Sequence, residues 1–178
     1  MIENLLFIDT ETTGFESDAR IVSITSYFEN VATMGTYSGI FKPPVPIGLR
    51  AMAVHHITEK MVADKPPFIG SKHHDFITDC LADDFVVVAH NAPFDLKMLA
   101  REGIEVERYI DTCKLAKALG NPECESHQLQ YLRYFYDLDV EAIAHSAEGD
   151  VAVLIALFKR LWQLHDEPTI EEMIEISR

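Results

Sequence analysis

Apolar runs that end abruptly in polar residues mark this chain. Leu5, Leu6, Phe7 and Ile8 form one such run, closed by Asp9, and continuous apolar character over four to eight residues fits a strand buried on both faces. Phe85 to Ala89 form a second, closed by His90 and Asn91, and Pro93 stands where a helix would begin. The pattern predicts strands near 4–9, 20–29, 33–42, 85–90 and 107–111, helices through 47–82, a helix from Pro93, and helices from the last strand to the end. The clearest helical period runs from Glu148 to Trp162, where Leu154, Leu157, Phe158 and Leu161 share one stripe. Three consecutive strands followed by alternating strands and helices predict an α/β fold, a mixed five-stranded sheet flanked by helices.

Composition adds bounds. The chain has 178 residues, 48% hydrophobic and 25% charged, enough to build one domain over 1–178 with a full core. A short acidic tail near 167–178, with Ile170, Met173, Ile174 and Ile176 at near-helical spacing, either packs on this domain or meets a partner. No apolar stretch approaches the roughly 20 residues that span a bilayer, and no basic leader precedes the first strand, so a cytoplasmic location without a membrane partner is expected. Cys80, Cys113 and Cys124 have no metal-ligand spacing, which fits buried thiols in a reducing compartment.

Chemistry concentrates in three short segments. Strand alternation puts Asp9 and Glu11 on one side and Thr10 on the other, although D-T-E-T-T-G serves equally as a solvated turn. Asp95 falls at the third helical position after Pro93, where the helix dipole favours any carboxylate, so alone it reads as a capping acid. Asp150 lies on the stripe of Leu154 and Leu157, where a charge needs compensation, and His145 stands five residues before it. Hard oxygen ligands gathered at strand ends suit Mg2+ or Mn2+, and two such ions about 3.5–4 Å apart serve phosphoryl transfer. Asp111 ends a strand but reads as the cap of the next helix and is left out of this group.

The set D-x-E-T-T-G, H-N-x-x-F-D and H-x-x-x-x-D resembles the DEDDh family of 3′-to-5′ exonucleases, which includes the proofreading subunit of bacterial replicative polymerases. The resemblance runs from about Leu5 to about Leu164, and the tail is similar to the end of exonuclease X-like members. It implies a ribonuclease H-like fold, two metals held by Asp9, Glu11, Asp95 and Asp150, and His145 as general base. It further implies that Thr12 and Phe15 border the terminal nucleotide and that His90, Asn91 and Phe94 line the pocket beside Asp95. A weaker echo, A-V-H-H-I-T, implies contacts from Val54 and His55, with His56 where the family carries glycine. Metals in such a site would activate a water and stabilise the departing 3′ oxygen, while His145 takes the water's proton and Glu11 orients it.

Net charge changes the expected substrate. A formal charge of −14 opposes a grip on long duplex DNA, which depends on lysine and arginine displacing counterions. Residues 42–72 carry Lys42, Arg50, Lys60, Lys65 and Lys72 against Glu59 and Asp64, either a local contact for the phosphate backbone or a solvated face. The expectation is a short, frayed or single-stranded DNA 3′ end, with stacking on Phe15 or Phe94. An RNA exonuclease acting on short oligoribonucleotides and a non-catalytic module docked on a polymerase are the alternatives.

Overall fold

The computed structural model describes residues 4–30, 32–140 and 147–178. Its sheet contains β1 (Leu5–Thr12), β2 (Ile21–Glu29), β3 (Met34–Ile40), β4 (Val86–Ala89) and β5 (Tyr109–Asp111), in the order β3-β2-β1-β4-β5. β1 pairs antiparallel with β2 and parallel with β4, while β2–β3 is antiparallel and β4–β5 parallel. This is the expected mixed sheet of five strands.

Both faces of the central strands are covered, which explains their unbroken apolar character. Leu5, Phe7, Val86, Val88 and Ile110 pack on one face against Leu115, Leu132, Leu154, Leu157 and Met173. These come from α5 (Thr112–Ala118), α6 (Leu129–Phe135), α7 (Ala147–Leu164) and α8 (Ile170–Ser177). Leu6, Ile8, Val87 and Ala89 pack on the other face. Their partners there include Ile77 of α3 (Lys72–Ala82) and Met98 and Leu99 of α4 (Pro93–Arg101).

The stretch 47–82 is helical only in pieces. α1 (Leu49–His55) and α2 (Glu59–Val62) precede α3. His56 ends α1 in the left-handed conformation, φ 61° and ψ 12°, and its N–H donates to the Met52 carbonyl. A glycine would take this conformation freely; histidine accepts it at roughly 1–2 kcal/mol. Ile47, Ile57 and Val62 then seat this segment on Val22 of β2.

Three polar anchors fix the frame. Glu102, just after α4, is 4% exposed and accepts from Arg20 Nε at 2.9 Å, Arg20 Nη2 at 3.0 Å and the Ile21 N–H at 3.3 Å. This holds the start of β2 to the end of α4. His73 of α3 is 1% exposed, bonds Ser26 Oγ through Nε2 at 2.8 Å, and has no partner at Nδ1. Rings of Tyr37, Phe41, Phe68 and Phe76 surround it, and burial pushes its pKa down to about 4. α8 begins with a capping box between Thr169 and Glu172 and ends against β5. There the Asp111 N–H donates to Ser177 Oγ at 2.8 Å and Lys114 Nζ to the Ser177 carbonyl at 2.7 Å. No helix among the described residues is long and apolar enough to cross a membrane.

Candidate active site

The polar end of β1 is where helices from both faces of the sheet meet. Asp9 and Glu11 follow Leu5 and Phe7 by alternation, so they face the layer that contains α7. Asp150, on the first turn of α7, comes down onto them. One carboxylate oxygen from each of Asp9, Glu11 and Asp150 lies within 4.8 Å of the others. Such crowding is costly for like charges. Burial first, then Asp95, Asp150 and Glu11, raise the Asp9 pKa well above its ordinary value. Burial, with Asp150 and Asp95, lifts Glu11 to about 7. The donors are all hard oxygens, and a divalent cation fits their chemistry and would offset their mutual repulsion.

Asp95 enters from the opposite side. Pro93 occupies the first position of α4, as its fixed φ favours, and Asp95 the first turn. Its Oδ1 accepts from the Thr10 N–H at 3.1 Å and from Thr10 Oγ1 at 2.6 Å. Thr10, which alternation turns away from Asp9, therefore tethers α4 to the strand. Burial pushes Asp95 up to about 7 against the opposing pull of these bonds. Asp95 stands beside the close trio and outside it: among the described residues, the carboxylates whose oxygens come together are Asp9, Glu11 and Asp150.

Several residues expected to touch substrate also make structural hydrogen bonds. His55 is 7% exposed; its Nε2 donates to the Thr12 carbonyl at 3.1 Å and its Nδ1 accepts from the Ile57 N–H at 3.0 Å. Burial lowers its pKa, so the neutral ring clamps α1 to the end of β1. His90 is likewise a pin, with Nδ1 paired to Thr112 Oγ1 at 2.9 Å and Nε2 to the His127 carbonyl at 2.8 Å. Both ring nitrogens are engaged in these bonds. Thr12 is buried, with its hydroxyl donated to the Gly14 carbonyl at 3.0 Å. Asn91 adopts φ 62° and donates its N–H to Asp111 Oδ1 at 3.0 Å. The same Asp111 oxygen accepts from the Cys113 and Lys114 N–H groups, so Asp111 is a helix cap.

Other expected contacts remain open to solvent. Phe15 is 81% exposed, its ring centroid 5.6 Å from that of Phe94, and Val54 is 51% exposed on α1. Sequence reasoning passed over Leu49, 82% exposed where the Gly48 N–H donates to the Thr13 carbonyl at 2.8 Å. It also passed over Thr10 and over Gln130, whose Nε2 donates to Asp150 Oδ1 at 2.5 Å. His145 lies outside the described residues.

Comparison with known proteins agrees with this geometry. The RNase T exonuclease family matches residues 6–158. DNA polymerase III subunit epsilon of Treponema pallidum is 32% identical over 190 residues, covering 94% of this chain and 85% of that protein. Exodeoxyribonuclease 10 of Escherichia coli K12 is 36% identical over 115 residues, covering 65% of this chain and 48% of the relative. An epsilon-like protein of Rhodobacter capsulatus is 30% identical over 174 residues; the match covers 90% of this chain and 24% of that longer protein. Among solved structures, exonuclease X in complex with 5′ overhanging duplex DNA has a TM-score of 0.76 and 32% identity, covering 98% of this chain and 99% of that one. The zinc-bound E. coli ExoI–ssDNA complex shares the fold, with a TM-score of 0.72 at 18% identity over 93% of this chain and 42% of that one. A carboxylate cluster at the end of the central strand of such a sheet, together with a family match spanning most of the chain, places this protein in the RNase T exonuclease family.

Proposed function

We propose that this chain hydrolyses the 3′-terminal phosphodiester of single-stranded or frayed DNA and releases nucleoside 5′-monophosphates. The observation that carries the reading is the meeting of Asp9, Glu11 and Asp150 within 4.8 Å, with Asp95 held beside them by Thr10. Asp9, Glu11 and Asp150 would hold Mg2+ or Mn2+, with Asp95 completing the set from α4. Two ions bound there would supply an activated water and stabilisation of the departing oxygen. The chain's own part is geometric: β1 and α7 hold the carboxylates in place before substrate arrives, and Thr10 keeps Asp95 at the strand end. His145, five residues before Asp150, is the proposed general base, a role that suits imidazole because this side chain exchanges protons near neutral pH. Exposed Phe15, with Phe94 beneath it, offers a surface on which a terminal base can stack. DNA is favoured over RNA because exonuclease X, a structural relative matched over 98% of this chain, is bound to DNA.

The test is incubation with Mg2+ or Mn2+ and end-labelled single-stranded DNA and RNA oligonucleotides, with EDTA and Asp9→Ala as controls. Stepwise loss of 3′ nucleotides from DNA, abolished in both controls, is the expected result. Preference for RNA would replace the substrate class. Cleavage of neither, by the wild-type chain loaded with metal, would favour a non-catalytic module associated with a polymerase.

A further inference from the structure

Gln130 is a neutral side chain that touches the carboxylate trio. It sits in the first turn of α6, whose Leu132 is fully buried in the core shared with α7, so the approach of Gln130 to Asp150 is set by helix packing. Its Nε2 donates to Asp150 Oδ1 at 2.5 Å. The opposite amide orientation would set oxygen against a carboxylate, so chemistry fixes which end faces Asp150. The other end is held too: Arg133, one turn along the same helix, donates from Nη1 to Gln130 Oε1 at 3.5 Å. Arg133 is in turn tied to the Val140 carbonyl and lies over the Tyr134 ring, 5.5 Å from its centroid.

We infer that Gln130, oriented by Arg133, is a positioning residue for Asp150 as a metal ligand. The argument lies in the choice of side chain. Asp150 needs to present only one oxygen to an ion shared with Asp9 and Glu11, and an amide N–H takes up a lone pair of the carboxylate without adding charge. A lysine there would neutralise Asp150 and compete with the cation; a glutamate would add a further negative charge and no donor. Partners that orient metal ligands commonly set affinity by about 10–100-fold. The inference rests on the reading of Asp9, Glu11 and Asp150 as metal ligands.

The experiment measures Mn2+ binding to the full chain directly, by calorimetry or by the electron paramagnetic resonance of free Mn2+, without substrate. Gln130→Met, of similar length but without the donor, should bind Mn2+ about tenfold more weakly. Gln130→His at pH 8, a neutral ring that keeps an N–H donor, should recover part of the loss. Gln130→Ala provides the same comparison if the methionine variant does not fold. The Mn2+ concentration for half-maximal cleavage should rise by the factor seen in binding. Equal affinity in all variants would overturn the inference, and so would tighter binding in Gln130→Met, because the amide would then be competing with the ion. Absence of nuclease activity with Mn2+ binding still weakened by Gln130→Met would overturn the proposed function and leave this inference standing. Absence of Mn2+ binding by the wild-type chain would overturn both.

Discussion

Replacing His73 by phenylalanine should flatten the acid limb of the stability curve. His73 is 1% exposed and folded with a pKa of about 4, whereas an unfolded histidine titrates near 6.5. As pH falls, the unfolded chain therefore takes the proton first. The contribution of the neutral ring is complete above about pH 6.5 and drains away as pH drops toward 4. At about 1.4 kcal/mol per pH unit the full loss is about 3 kcal/mol, of which about 1 kcal/mol is gone by pH 5.5. His73→Phe removes that term but leaves Ser26 Oγ without its partner, at about 1–3 kcal/mol that does not depend on pH. The readout is thus the gap between wild type and variant, measured by urea unfolding from pH 7.5 to 5.5. Asp9, Glu11 and Asp95, whose raised values act in the opposite sense, are common to both proteins and cancel. The gap should shrink by about 1 kcal/mol across this range. A gap that stays constant would show that His73 titrates as an exposed ring does, and would refute the argument from burial.

Two further outcomes are expected. Glu11 and Asp95, both pushed up to about 7, must lose protons to hold a cation, so Mg2+ affinity should rise from pH 6 to pH 8, by at most about tenfold per unit for each proton released. Calorimetry in buffers of different ionisation enthalpy counts those protons, and equal affinity at both pH values would contradict the raised carboxyls. Glu102→Ala strands Arg20 and the Ile21 N–H and should cost about 2–4 kcal/mol in urea unfolding, with a loss below about 0.5 kcal/mol counting against the anchor.

What the sequence made legible depended on range. Leu5 to Ile8 and Phe85 to Ala89 announced themselves because both faces of β1 and β4 are buried. The last strand is shorter than the 107–111 expected, since its ladder with β4 runs only from Tyr109 to Asp111. The reading of several helices over 47–82 left the break after α1 unplaced, because the left-handed turn at His56 has no signal in hydrophobic period. Alternation sufficed to bring Asp9 and Glu11 together, and the stripe of α7 sufficed to aim Asp150 at them. Thr10 and Gln130 stayed hidden because their bonds to Asp95 and Asp150 span 85 and 20 residues and exist only once α4 and α6 have docked. The ring nitrogens of His90 are taken by Thr112 and His127 for the same reason: neither partner is near it in sequence.

The alternation of β1 also has a bearing on how preparations of this protein should be judged. Leu5, Phe7, Asp9 and Glu11 share one side of the strand, and Leu6 and Ile8 the other. A slip of one residue against β2 or β4 would turn Asp9 and Glu11 into the layer of Ile77, Met98 and Leu99, and expose that layer's own apolar partners to the carboxylates of α7. The register that buries the core is thus the register that assembles the acidic trio. A misthreaded yet compact population, folded by bulk spectroscopy but lacking its carboxylate cluster, is disfavoured by the same energy that makes the domain cooperative, so the fraction that unfolds cooperatively should equal the fraction able to take up metal.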